Sequence, residues 1–126
     1  MNAECGTRNA ELKQRTFDFG VRVVRLVEAL PRTGTAQVIG RQLLRAGTAV
    51  GANYRAAKRA RSRAEFVAKL GIVEEECDES VYWIELLTAL DIVKESRVAE
   101  LRQEASELVA IMVTSIKTAR EGRAKK

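Results

Sequence analysis

Seven basic side chains crowd one short stretch of this chain: Arg41, Arg45, Arg55, Lys58, Arg59, Arg61 and Arg63. Guanidinium and ammonium groups at this density suit contact with phosphates, which gives affinity with little choice of base sequence. Placed on an ideal helix, Arg41, Arg45, Arg55 and Arg59 fall within about 80° of one another. The segment from Arg55 to Arg63 contains no acid. Aromatic residues make up only 5% of the chain, too few to expect base stacking on a single strand.

The charge is segregated along the chain. Residues 36–69 hold eight bases and one acid, residues 70–107 three bases and eleven acids, and the last nineteen residues five bases and one acid. Such poles steer an anionic ligand, or bring the basic part of one subunit to the acidic part of another. Pairing between neighbouring helices of one monomer would use the same charges differently, and the sequence leaves these open.

Catalytic chemistry has little to work with. Histidine is absent, which removes the commonest general base and metal ligand. Glu74-Glu75-Glu76 resembles the carboxylate sets of metal-binding bundles, but consecutive residues on a helix point in three directions, and no Glu-x-x-His pair is possible. Cys5 and Cys77 have no partners at zinc or disulfide spacing, and Cys77 reads as a small buried hydrophobe. The reading is therefore a protein without catalytic residues, metal or cofactor. The start MNAECGTRNAELK resembles neither a signal peptide nor an apolar anchor, and no apolar run approaches the length of a membrane span. The expectation is a cytoplasmic protein with no membrane partner.

The elements that must position the basic stretch are helices. One proline, few aromatics and abundant Ala, Leu, Glu and Arg indicate an all-α chain. A first helix is predicted over Asn9–Leu30, with Phe17, Val21, Val24 and Val27 on its inner face, widened by Val23, Leu26 and Leu30, and Pro31 and Gly34 end it. Thr35 is the expected N-cap of a second helix over residues 36–59. Ile39, Leu43, Ala46, Val50, Asn53 and Ala57 form its apolar seam, with Asn53 fixing register. A third face carries Gly40, Gly47, Gly51 and Tyr54. Mid-helix glycines cost about 1 kcal/mol each relative to alanine, so three of them imply a close neighbour, unless the helix is simply loosely specified.

Ser62-Arg63-Ala64-Glu65 is a capping box that starts a third helix, about Arg63–Asp91, with Phe66, Leu70, Val73, Cys77, Val81, Ile84 and Leu87 inside. Trp83 lies on a second apolar strip beside Glu76 and Glu79, suited either to a subunit interface or to packing within the chain. The fourth helix covers about Arg97–Arg120, with its seam at Val98, Leu101, Ala105, Leu108, Met112 and Ala119. Four amphipathic helices on short links give an up-down-up-down antiparallel four-helix bundle over 9–121, between a weakly held start, 1–8, and a basic tail, 122–126.

The residues Val38-Ile39-Gly40-x-Gln42-Leu43-x-Arg45-Ala46-Gly47-Thr48-Ala49-Val50-Gly51-Ala52-Asn53-Tyr54-Arg55-Ala56-Ala57 carry a family likeness. So do Phe17-x-x-Gly20-x-Arg22-Val23, Ser62-x-x-Glu65-Phe66 and Tyr82-Trp83-x-Glu85-Leu86-Leu87. This pattern resembles the bacterial four helix bundle protein family, whose members include proteins encoded in intervening sequences of 23S ribosomal RNA genes, sometimes labelled S23 ribosomal proteins. The likeness covers about residues 15–90. It implies a left-handed four-helix protomer and a ring-shaped homopentamer. A related branch, the accessory variability determinants of diversity-generating retroelements, consists of basic pentamers that bind reverse transcriptase and nucleic acid.

Together these readings point to an oligomeric binding protein. Arg41, Arg45, Arg55, Lys58, Arg59, Arg61 and Arg63 would contact RNA or DNA phosphates, and Gly40, Gly47, Gly51, Tyr54 and Trp83 would form the subunit interface. The rival is an assembly module whose basic surface docks an acidic protein, such as a reverse transcriptase or the neighbouring subunit.

Overall fold

The computed structural model describes the backbone of residues 3–124 and the side chains of residues 9–122. It contains four helices: α1 Ala3–Glu28, α2 Gly34–Lys58, α3 Arg63–Ala89 and α4 Glu95–Ala124. No strand occurs among the described residues. The helices pack into the expected all-α bundle. α2 packs against α1 and α3, α3 also packs against α4, and the α1–α4 contact is the slightest. Arg15 ties that looser seam: its Nε and Nη2 donate to the Glu104 carboxylate at 3.0 and 2.6 Å. Glu104 and Glu107 raise the pKa of this guanidinium, the hydrogen bond to Glu104 contributing most.

The helix ends follow local chemistry, with shifts from the predicted boundaries. α1 starts at Ala3, so most of the stretch expected to be weakly held is helical; residues 1–2 lie outside the described chain. α4 likewise continues to Ala124, through part of the expected tail. The N-cap of α2 is Thr33, not Thr35: its hydroxyl accepts the Ala36 N–H at 3.2 Å, and Gly34 becomes the first helical residue. Ser62 caps α3 as predicted, accepting the Glu65 N–H at 3.0 Å, while the Glu65 carboxylate accepts the Arg61 N–H at 3.1 Å. α3 stops at Ala89 because Asp91 turns left-handed, with φ 57°. The Asp91 N–H then bonds Thr88 O, and the Ile92 N–H bonds Leu87 O, both at 3.0 Å. This is a Schellman closure with Asp where glycine is usual.

The core keeps the flank of the predicted inner face of α1 at Val23 and Leu30 and corrects its centre. The buried residues are Leu12, Thr16, Phe19, Val23 and Leu30, whereas Phe17 is 50% exposed. Both strips are apolar, but the buried one is longer and contains the larger side chains. Thr16 is tolerated inside because its hydroxyl donates to Leu12 O at 2.8 Å. In α3 Ser80 is fully buried beside a partly buried Val81 that packs against the core, and Ser80 likewise donates to Glu76 O at 2.8 Å. In α2, Tyr54 is buried while Asn53 is half-buried and donates to Ala49 O at 2.9 Å. A local backbone bond therefore satisfies Asn53.

The glycine face, predicted as a subunit interface, is where α1 lies within the same chain. A Cβ on Gly47 would come within 2.7 Å of both Val23 methyls, and one on Gly51 within 3.2 Å of Thr16 O. At Gly40 the nearest atom would be a Leu30 methyl at 2.9 Å. Gly71 of α3 has no such neighbour within 4 Å. The Gly47→Ala variant should therefore lose about 1–2 kcal/mol of stability, since overpacking against stiff, branched Val23 outweighs the gain in helix propensity. Gly71→Ala should gain up to about 1 kcal/mol. Urea denaturation of both variants measures the contrast; equal effects at the two sites would remove the close-approach explanation.

Candidate nucleic-acid interface

The outer side of α2 presents Arg41, Arg45, Arg55 and Arg59 to solvent, as the helical spacing predicts, with Lys58 and Arg61 exposed and Arg63 half-exposed around the corner into α3. The structure divides these side chains among three settings.

Arg45 is engaged within the chain. Its guanidinium reaches Glu76 Oε2 at 3.1 Å through Nη1 and Glu79 Oε1 through Nη2, joining α2 to α3. Trp83 Nε1 donates to the same Glu79 oxygen at 3.1 Å. These bonds, Arg45 first and then Trp83, hold the Glu79 carboxyl below its ordinary value of 4.5. Arg45 thus differs from the other cations of the predicted phosphate-binding set in being ion-paired within the chain, and half-buried Trp83 is hydrogen-bonded within its own helix. The acidic triplet separates as expected: Glu76 pairs with Arg45, whereas Glu75 is exposed and Glu74 half-exposed.

Arg55 and Arg59 rim a groove between α1 and α2. The Arg55 guanidinium lies over the Phe17 ring, 5.4 Å from its centroid. Phe17, Val21 and Val24 form one wall, Thr48, Gly51 and Ala52 the other, around a volume of about 570 Å³. Sequence reasoning missed this groove by turning Phe17, Val21 and Val24 inward. The available signal was that α1 carries two apolar strips and α2 offers it one small-residue face.

Lys58, Arg61 and Arg63 form the third group, at the α2–α3 corner. Lys58 Nζ lies 5.8 Å from the centroid of the Phe66 ring. Lys58, Arg63 and Phe66 line a shallow basin of about 500 Å³ with Ser62 and Ala119. Among the described residues, none of these cations, nor Arg41, Arg55 or Arg59, forms an ion pair. Lys58 complements the negative end of the α2 dipole, so helix stability accounts for it in part. Arg61 and Arg63 have no such account. They sit at the positive end of α3, where cations are unfavourable. Glu65, the acid nearest in sequence, uses its carboxylate on the Arg61 backbone N–H.

Among the described residues no group of three metal-ligating side chains exists, and no helix is long and apolar enough to cross a membrane. Cys77 is a free, fully buried thiol, and burial pushes its pKa up to about 12. Cys5 lies outside the described side chains.

Residues 8–114 match the family described as 23S rRNA-intervening sequence protein. Among solved structures, the chain is similar to a protein with unknown function from the S23 ribosomal protein family of Bacteroides thetaiotaomicron. The two are 33% identical and superpose with a TM-score of 0.81, over 86% of this chain and 97% of that one. Comparison with curated proteins finds no match.

The lowered Glu79 value predicts how acid acts on the α2–α3 link. The stabilisation is fully present above 4.5, the ordinary carboxylate value, and is lost as pH falls through the lower value of the folded protein. Glu79→Gln removes this titration and can still accept the Trp83 N–H. Denaturant midpoints measured from about pH 6 down to about pH 3 should fall more steeply for the wild type than for Glu79→Gln. Parallel curves would show that the Arg45–Glu79 contact carries no linkage.

Proposed function

Because the chain belongs to the 23S rRNA-intervening sequence protein family, we propose that it is a non-enzymatic, oligomeric protein of the cytoplasm whose basic corner binds RNA through its phosphates. The observation that carries this reading is the set Lys58, Arg61 and Arg63. These cations stand together without an acidic partner among the described residues, two of them against the dipole of the helix they begin. Evolution of a stable fold alone gives no reason to place them there. A polyanion does, since each phosphate neutralised releases counterions. Arg41 extends the positive surface along α2.

The rest of the reading concerns assembly. Connectors of a few residues turn each helix back on the previous one, which supports up-down-up-down topology. The order of contacts agrees: Gly40 meets Val27 and Leu30, Gly47 meets Val23, and Gly51 meets Thr16, so position rises along α2 as it falls along α1. Likeness to the four-helix family supports a ring of five copies. The absence of histidine and the unreactive Cys77 thiol support a non-catalytic role. A second reading, an assembly module for an acidic protein such as a reverse transcriptase, is favoured by the apolar groove with its Arg55 and Arg59 rim.

The test is RNA affinity as a function of salt. The combined Lys58→Ala, Arg61→Ala and Arg63→Ala variant should bind a short mixed-sequence RNA about tenfold or more weakly at low salt, and the slope of log affinity against log salt should fall by about 2. Filter binding across a salt series reads both. An unchanged slope would overturn the assignment of these residues to phosphates.

A further inference from the structure

Two faces of the protomer expose apolar side chains that nothing among the described residues covers, and their charges are opposite. The groove between α1 and α2 offers Phe17, Val21 and Val24 beneath Arg55 and Arg59, and no carboxylate lines it. The outward ridge of α3 offers Ile72, Tyr82 and Leu90, with Leu86 half-buried among them. Tyr82 is 56% exposed, and its ring stands edge-on to Trp83 at 4.9 Å. Exposed Glu75, Asp78 and Glu85 flank the ridge, and none of them is ion-paired among the described residues. From Gly71 to Val93 the chain carries carboxylates and no base.

We propose that the α3 ridge of one copy seats in the α1–α2 groove of the next. This rests on the oligomeric part of the reading above and names the two surfaces. The charges match, and the C-terminal part of the ridge matches the groove in length, with Ile72 lying beyond it. Phe17 to Val24 spans roughly 10 Å of helix and Tyr82 to Leu90 roughly 12 Å. Trp83 steadies the Tyr82 ring from within the same helix, giving the ridge a rigid aromatic anchor of the kind that dominates interfaces.

Neither face complements itself, because one is basic and hollow, the other acidic and raised. The contact is therefore head-to-tail. Each copy uses one groove and one ridge, and the series closes into a ring when the repeated rotation completes a turn. Assembly covers Arg55 and Arg59 and leaves Lys58, Arg61 and Arg63 at the open corner.

The experiment is light scattering on a sizing column with the full chain. Val21→Glu places a carboxylate in the groove, and Tyr82→Lys places a cation on the ridge. Each variant alone should elute as a monomer of 14.0 kDa. Their equimolar mixture should give a one-to-one dimer, because the first keeps its ridge and the second its groove. Circular dichroism confirms folding; if either variant is unfolded, the exposed pair Arg55→Glu and Arg59→Glu replaces Val21→Glu, and Tyr82→Ala, which removes the anchor without creating a new opposite charge, replaces Tyr82→Lys. A monomeric wild type, a variant that keeps the wild-type mass, or a folded mixture without a dimer would overturn the proposal. The Lys58, Arg61 and Arg63 variant separates the two readings, since it should keep the wild-type mass while losing RNA.

Discussion

The close approach of α1 to the glycine face of α2 is the constraint on which the rest of the structure depends. With Gly40, Gly47 and Gly51 under it, α1 settles until Val23 touches the space a Cβ would fill. That fit commits the α1 strip of Leu12, Thr16, Phe19 and Val23, with Leu30 just past the helix end, to the core. It also turns Phe17, Val21 and Val24 outward, because they occupy the other side of the same helix. The groove on the outside of the α1–α2 pair is thus a consequence of the packing on its inside. Gly20, 3.7 Å from Gly47 O by its would-be Cβ, keeps the groove floor low.

Electrostatics is arranged around this frame in two different ways. Where charges meet across helices, they are used to join them: Arg45 with Glu76 and Glu79, and Arg15 with Glu104 and Glu107. Pairs this exposed contribute little to stability singly. Their value lies in orientation, since Glu79 also receives the Trp83 N–H and so sets the indole beside Tyr82. At the α2–α3 corner the charges are of one sign and are left uncompensated. Segregated charge along the chain therefore serves both as internal cross-link and as open surface.

Most of the architecture was legible in the sequence because helix chemistry is local. Pro31, Ser62 and the 3.6-residue apolar spacing locate the four helices, and the buried residues of α4 follow the predicted seam closely. The choice between two apolar strips on α1 was not legible. Periodicity shows that each strip is amphipathic, but only the partner surface on α2 decides which one is covered. The same limit explains Tyr54 and Asn53. They are neighbours on one helix, and packing of the bundle buries the larger of them. Arg45 was read as part of a phosphate stripe because its carboxylate partners lie more than thirty residues away on α3. The glycines signalled a close neighbour correctly, but spacing alone does not say whether that neighbour belongs to the same chain.

The basic residues cannot all serve one purpose, and their positions show how the work can be divided. Arg55 stacks on Phe17 and Arg59 joins it on the rim of an apolar groove, where a guanidinium is useful mainly against a partner that is both greasy and acidic. A phosphate backbone has no use for the valines beneath them. Arg61 stands exposed on a polar turn, and Arg63, half-exposed, stands at the capped start of α3 beside the shallow basin. Unpaired cations against a helix dipole suit a strongly charged anion. The α2–α3 turn thus marks a boundary on the surface, with an apolar groove rimmed by Arg55 and Arg59 on its α1 side and a cluster of uncompensated cations beyond it.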